Sequence, residues 1–312
     1  MVSIIVVNRN GKRFLARCLN SIFNQTYRDL DLWVIDSGST DGSVDLLNKD
    51  FSQVRVLSSE KNMGYCKAFN WGLKMTRRRY VLLLNADTYL ESDYVERAVQ
   101  GMERDLTLGF LSGKILRFDG KTIDSAGQFL GRDRRPLDRG YNEEDRGQHE
   151  KEGEIFSVCG AVAFYRREML TDCALRGEVY DEDYFAFYED LDLGWRAGLL
   201  GWRGLYQPQA VAYHYRWGTE GFQGVKGSYA FLRRPLELKY HLLKNRYLTM
   251  IKNDTLGDFL RDLPQILLFE GRLWGSILLF SPMIFFYLPL AFPFLLRAFK
   301  KRKILQKKGR GN

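Results

Sequence analysis

Thiols and imidazoles are scarce in this chain. Its 312 residues hold four cysteines, Cys18, Cys66, Cys159 and Cys173, none of them in a C-x-x-C pair, and three histidines. That supply argues against a zinc module built from thiolates and imidazoles. The opening run "MVSIIVVNRNGK" lacks a basic leader and is too short for the apolar core of a signal peptide. Scattered cysteines without such a signal fit a reducing compartment, so the N-terminal part is expected in the cytoplasm. There is no internal repeat. Charge is missing from Leu273–Leu296, 24 positions in a row, and acid is missing from Arg297–Arg310, which holds eight Lys or Arg.

What is there describes a globular protein, 45% hydrophobic and 27% charged. The length suits one α/β domain of about 200–250 residues with an appendage. The net charge is +9, and the terminal block can face nucleic acid, anionic lipid or water. No DNA- or RNA-binding module accompanies it, so a nucleic-acid partner is not expected. The uncharged stretch is long enough to span a bilayer, but Pro282, Pro289 and Pro293 interrupt it and argue against one straight helix. Broken apolar segment and basic block together fit attachment to an anionic cytoplasmic leaflet, as interfacial helices or a shallow hairpin. The alternative is a buried core helix with a solvated tail.

Apolar, β-branched runs predict strands at Val2–Val7, Leu30–Asp36, Val54–Leu57 and Tyr80–Asp87, separated by helical patterns after Gly11, at Val44–Leu47 and at Ala68–Met75. Such alternation predicts a parallel, doubly wound sheet. Ligands bind such sheets beyond the carboxyl ends of the strands, and three polar clusters fall there: Asn8–Asn10, Asp36–Asp41 and Asn85–Asp87. Further on, Lys114–Leu130 reads as a hairpin turning at "FDGK", 132–154 as a mobile charged loop, Ile155–Tyr165 as strand, and the glycines of 218–228 as a flexible flap.

Asp36 precedes "SGSTDGS", whose small residues let a ligand approach the backbone; a turn with a helix cap explains the same residues. Asp87 closes "LLLNAD", where a carboxylate suits Mg²⁺ or Mn²⁺; a strand-end turn is the alternative. "YFAFYEDLDLGWRAGLLGWR" begins at Tyr184 and sets Glu189, Asp190 and Asp192 at a helix start behind an aromatic wall. The helix dipole accounts for acids there, and an aromatic wall raises a carboxylate's pKa toward that of a general base. His214 ends a strand, as a core histidine or as a ligand.

The segments "VSIIVVNRNG", "WVIDSGSTDGS", "NMGYCKAFNWGL", "LLLNADT", "CGAVAFYRREML" and "DEDYFAFYEDLDLGWRAGLLGWR" occur in that order, followed by Pro, Ala and "YH". Over residues 2 to about 250 they resemble the family 2 inverting glycosyltransferases of GT-A fold, and among these the rhamnosyltransferase-like enzymes of bacterial cell-surface polysaccharide synthesis. The resemblance implies a Rossmann-like, mostly parallel sheet flanked by helices in residues 1–230, and an apolar, basic, membrane-associating helical region in 231–312. It implies a nucleotide-diphosphate sugar donor held by Asn8, Asp36, Asp41, Asn62, Gly64, Lys67 and Asn85, and Mg²⁺ or Mn²⁺ held by Asp87 and His214. Asn85 departs from the pattern, standing where many relatives carry the first acid of D-x-D. Asp190 matches the catalytic base and Glu189 its neighbour; Asp192 is assigned to the helix start, and Trp195 and Arg196 to the acceptor or phosphate side. The implied acceptor is a glycan or a polyprenyl-diphosphate-linked sugar at the cytoplasmic face of the membrane, and the implied donor dTDP-rhamnose. Two rivals are a nucleotidyltransferase and a non-catalytic, nucleotide-sugar-binding scaffold. The short "NRNGKRF", with one glycine, is a poor phosphate loop for the first, and the full set of Asp36, Asp87, Asp190 and His214 argues against the second.

Overall fold

The computed structural model describes residues 1–216, 231 and 234–309. The expected flap at 218–228 lies outside the described residues. The first half alternates as the apolar runs require: β1 (Val2–Asn8), α1 (Lys12–Phe23), β2 (Leu30–Ser37), α2 (Ser43–Asp50), β3 (Arg55–Ser59), α3 (Tyr65–Met75), β4 (Tyr80–Asn85), β5 (Thr88–Leu90) and α4 (Tyr94–Glu103). Then come β6 (Leu108–Arg117), β7 (Ile123–Ser125), β8 (Gln128–Leu130), β9 (Pro136–Asp138), β10 (Gly153–Ile155), β11 (Val162–Arg166), α5 (Arg167–Cys173), α6 (Glu189–Leu199) and β12 (Arg203–His214).

β1 shows why the sheet is covered on both sides. Val2, Ile4 and Val6 pack with Leu15 and Leu19 of α1, while Ile5 and Val7 pack with Phe69 of α3. A strand buried on both faces has no use for polar alternation. The main row runs β10-β12-β6-β11-β4-β1-β2-β3. β3, β2, β1 and β4 are parallel to one another, as are β6 and β12, while β11 runs antiparallel between β4 and β6. The ends of β1, β2, β4, β6 and β12 and the beginning of β11 therefore meet at one edge, where all three polar clusters lie.

Several boundaries differ from expectation. β4 stops at Asn85, and Asp87 sits in the tight turn that leads into β5. The hairpin at "FDGK" forms between β6 and β7. Residues 132–154 are pinned rather than loose: Arg134 is buried, bonding Asp254 at 2.6 Å and Asp262 at 2.8 Å, and Lys114 pairs with Asp145 at 3.0 Å and with Glu150. The partners of Arg134 lie far along the chain, so its charge looks solvated until the chain folds.

The C-terminal part is helical: α7 (Leu236–Asn253), α8 (Leu256–Arg261), α9 (Leu263–Phe280) and α10 (Phe292–Gly309), with 3-10 turns at Pro282–Phe286 and Leu288–Ala291. The prolines break the apolar stretch, as expected. Among the described residues, the helix long and apolar enough to cross a membrane is Leu263–Phe280, with a mean hydropathy of 1.2, rather than the stretch 273–296. Nor is the basic block simply a free tail. Lys301 is buried and bonds Glu178, Asp181 and Asp183; Arg297 pairs with Asp183 at 2.8 Å; Arg302 donates to the carbonyls of Ile251 and Asp254. Lys300, Lys303 and Lys307 face outward.

Burial pushes the Asp181 carboxyl up, but Lys252 and Lys301 outweigh it and hold it well below the usual range. A depressed carboxyl contributes its full stability above its unfolded pKa, about 3.9, and loses it progressively as the pH falls from that value toward the lower folded one. Lys301→Met, which removes one partner from a buried charge cluster, is expected to cost about 3 kcal/mol at pH 7. Urea unfolding at several pH values checks this, and the difference from wild type should shrink below about pH 4.

Candidate functional site

A cleft opens at the shared strand edge as two adjoining chambers of about 330 and 310 Å³, both lined by Val7, Arg9, Tyr65 and Phe187. The first adds Ser37, Asn62, Gly64, Phe185 and His241, and the second Gly11, Asn85, Asp87, His214 and Arg216. Beneath the cleft the ends of β1 and β2 are cross-linked. Asn8 is buried and donates from Nδ2 to Asp36 at 2.7 Å, while Ser39 donates to Asp36 through its amide (2.9 Å) and hydroxyl (2.6 Å). Asp41 accepts from the Lys12 amide at 2.9 Å and from the Ser43 amide at 3.0 Å, so it joins the first turns of α1 and α2. Burial raises its pKa, but the hydrogen bonds from Ser43 and Lys12 prevail and lower it. Asn62 accepts from the Gly64 amide at 3.1 Å. Gly64 has φ +83°, and a Cβ there would fall 2.5 Å from the Phe185 ring, so glycine lets this ring close over the loop. Lys67 is exposed on α3 and lines neither chamber.

The second chamber gathers oxygen and nitrogen donors. Asp87 Oδ1 lies 3.5 Å from His214 Nε2, and His214 Nδ1 lies 2.8 Å from Asp124. A carboxylate on the far ring nitrogen orients an imidazole for a metal on the near one. Asp124 is fully buried and also takes Arg117 (2.7 Å) and Arg216 (2.5 Å). Burial pushes Asp124 up, yet Arg216, His214 and Arg117 bring it down to about 2. For His214, burial lowers the pKa and Asp87 and Asp124 raise it, to about 9. Asn85 Oδ1, buried in the same chamber, has no hydrogen-bond partner among the described residues. Two oxygens and an oriented imidazole fit Mg²⁺ or Mn²⁺. A second grouping, Asp124, Cys159 and His214, lies within ligand range of itself. Asp124 there is committed to two arginines, and burial pushes the Cys159 thiol well up, which makes it a poor thiolate ligand.

The three acids at the start of α6 have three different surroundings. Asp192 is fully buried and bonds Arg196 (2.8 Å), Lys252 (3.0 Å) and Asn253 (2.7 Å). It belongs to an interior charge cluster, not to an exposed helix start. Arg196 is fully buried too, spent on Asp192 and on the carbonyls of Cys173 and Val179, so it does not reach the cleft; Trp195 packs edge-on against Phe156. Asp190 is partly exposed and accepts from the amides of Gly160 (3.0 Å) and Leu191 (2.7 Å). The Gly160 carbonyl in turn takes the hydroxyl of Tyr65, which lines both chambers. Glu189 is buried, and its Oε2 has no partner among the described residues. Burial and the neighbouring Asp190 push Glu189 well above the usual range; burial raises Asp190 too, against the two amides that favour its charged form. Both carboxyls are pushed up, Glu189 further than Asp190.

The approach to these acids is strained. Phe185, Phe187 and Tyr188 have φ of 68°, 72° and 71°, a conformation costing roughly 1–3 kcal/mol at each non-glycine residue. Asp124, Arg216, Tyr65 and Gly160 escape sequence reasoning. Tyr65 and Gly160 lie inside the segments "NMGYCKAFNWGL" and "CGAVAFYRREML", which gave them no role of their own, and no motif marks Asp124 or Arg216.

The sequence profile of glycosyl transferase family 2 matches residues 3–173, more than half of the chain. Chondroitin synthase of Escherichia coli is 34% identical over 111 residues, which are 35% of this chain and 16% of that protein. The N-acetylglucosaminyl-diphospho-decaprenol L-rhamnosyltransferase of Mycobacterium tuberculosis is 26% identical over 247 residues, 71% of this chain and 78% of that one. Among solved structures, GalNAc-T7 with UDP, GalNAc and Mn²⁺ matches with a TM-score of 0.59 at 16% identity, over 81% of this chain and 48% of that one. Staphylococcus aureus TarS 1-349 with UDP-GlcNAc matches with a TM-score of 0.57 at 17% identity, over 85% and 71%. At these identities the structures speak for a common GT-A fold alone. The sequence profile goes further, and by it the chain belongs to glycosyl transferase family 2.

Proposed function

We propose that this protein is an inverting transferase that moves a sugar from a nucleotide diphosphate to a hydroxyl of a glycan or polyprenyl-diphosphate-linked acceptor. The observation that carries the reading is Asp190, held by the amides of Gly160 and Leu191 and joined through the Gly160 carbonyl to the Tyr65 hydroxyl, next to the cleft that holds Asp87 opposite His214 at 3.5 Å. Asp190, kept as a carboxylate by two amides, takes the proton of the acceptor hydroxyl as its oxygen attacks the anomeric carbon. The bond from that carbon to the diphosphate breaks on the opposite side. Glu189, pushed up by burial and by Asp190, favours its neutral form, which would keep a second negative charge away from the attacking oxygen. Asn62, Gly64 and Asn85 form the donor side of the cleft, with Asn8 and Asp36 beneath it and Asp41 bracing it. Asp87 and His214 would hold Mg²⁺ or Mn²⁺, whose charge stabilises a departing diphosphate. An ion held by His214 would take the place of a proton on that ring, whose pKa Asp87 and Asp124 raise to about 9.

The mycobacterial relative's name supports rhamnose as the sugar and a polyprenyl-linked sugar as the acceptor; dTDP-rhamnose heads the donors to test. Leu279, Phe280 and Phe286 are exposed by 73%, 68% and 77%. With outward Lys300, Lys303 and Lys307 on α10, they support attachment to an anionic membrane at its cytoplasmic face.

Nucleotide release from a panel of dTDP-, UDP- and GDP-sugars, with a lipid extract as acceptor, tests the reading. Asp190→Asn is expected to lower kcat by about 10²–10⁴-fold with donor affinity retained. The wild-type rate should rise with pH on an acidic limb whose midpoint lies above the ordinary carboxylate value of about 4, because a base acts only when deprotonated. A variant as active as the wild type removes Asp190 from the role. Chelation should stop release and Mn²⁺ or Mg²⁺ restore it, with Asp87→Asn needing roughly 10–100-fold more ion. For the membrane, the triple change Leu279→Asp, Phe280→Asp and Phe286→Asp should abolish co-sedimentation with anionic vesicles; unchanged sedimentation would point to another surface.

A further inference from the structure

Asn245, on α7, is fully buried and aims Nδ2 at three consecutive parts of the strained approach to α6. It donates toward the carbonyl oxygens of Tyr184 (3.1 Å), Ala186 (2.7 Å) and Phe187 (2.8 Å). These carbonyls belong to the segment in which Phe185, Phe187 and Tyr188 have positive φ. No strand or helix ladder serves such backbone, so its carbonyls must find donors elsewhere. We propose that Asn245 is a positioning residue for the transfer reaction: by gathering these carbonyls it holds the left-handed turn that delivers Glu189 and Asp190 to the cleft. The inference rests on the base assigned to Asp190 above.

Neighbouring contacts act on the same segment. Lys244 donates to the Asp183 carbonyl, and the Thr249 and Tyr184 hydroxyls bond at 2.9 Å. On the cleft side, the Phe185 ring stacks on His241 of α7 at 4.9 Å, and its carbonyl accepts from the Cys66 amide at 3.1 Å. Asn245 differs from these in touching three carbonyls with one amide nitrogen. An aspartate of the same shape has no N–H to offer and would turn a negative charge on the three oxygens. The helices that follow the sheet therefore do more than meet a membrane. They supply the donor that shapes the catalytic approach.

The test compares wild type, Asn245→Asp and Asn245→Ser at equal folded fraction. Serine keeps one donor and guards against a variant that fails to fold. Expected is a fall in kcat of about 100-fold for Asn245→Asp and a smaller fall for Asn245→Ser, with donor Kd within about threefold of wild type. Hydrogen exchange should speed up at residues 184–191 and stay unchanged in β1 and β4. The exchange result needs no turnover, so it stands even if no donor is used by the wild type, an outcome that would count against the transferase reading instead. Unchanged exchange at 184–191, or a kcat loss matched by lost donor binding, would overturn the positioning role.

Discussion

A buried charge cluster underlies the arrangement of the site. Lys252 sits between Asp181 (2.5 Å) and Asp192 (3.0 Å), Arg196 closes on Asp192, and Lys301 reaches Asp181 from α10. Removing any of these charges takes a partner from another buried charge and leaves the cluster out of balance, which is more costly than the intact cluster. The cluster therefore ties α6, α7 and α10 into one body and fixes the floor on which the acids of α6 stand. It also separates those acids electrically. Against the push of burial, Arg196 and Lys252 hold Asp192 below its usual pKa, while burial and the neighbouring Asp190 push Glu189 up. Acids within one helical turn shift in opposite directions because their partners differ, not because their residue types do.

The opposite wall of the cleft follows the same logic with the sign reversed. Asp124, fully buried, draws in Arg117, Arg216 and His214, and His214 turns its other nitrogen toward Asp87. Arg216 also approaches Asp138 of β9 at 3.5 Å, so the charged segment after β8 is folded into the site's support. Three cationic side chains, Arg117, Arg216 and His214, are thus matched to the carboxylates of Asp124, Asp87 and Asp138 in one connected network. On the acid-pair side, two backbone amides and an aromatic approach leave one carboxylate charged in a poorly solvated place.

Much of the plan is legible in the chain. Uninterrupted apolar runs predicted strands buried on both faces, and β1 through β4 lie within a few residues of where those runs fall. The polar clusters after them landed on one sheet edge because parallel strands end together. Asp87 and His214 could be paired from resemblance, and they face each other. Less legible were charges whose partners are remote. Arg134, Lys301 and Asp192 all looked solvent-facing by composition, and all are buried in pairs formed across 60 residues or more. Arg196 looked like a cleft residue because it follows the acid pair, yet the helical turn carries it to the interior.

The sequence by itself determined the α/β alternation, the sheet edge where the polar clusters gather, and the ordered motifs that mark the family. Each is carried by local pattern: periodicity, strand-end polarity and ordered motifs act over a few residues. The tertiary structure alone decided which acids are pushed up and which is held down, which cations are spent inside, and which helix supports the approach to the site. Those depend on desolvation and on charges brought together from distant segments, and neither exists until the chain has folded.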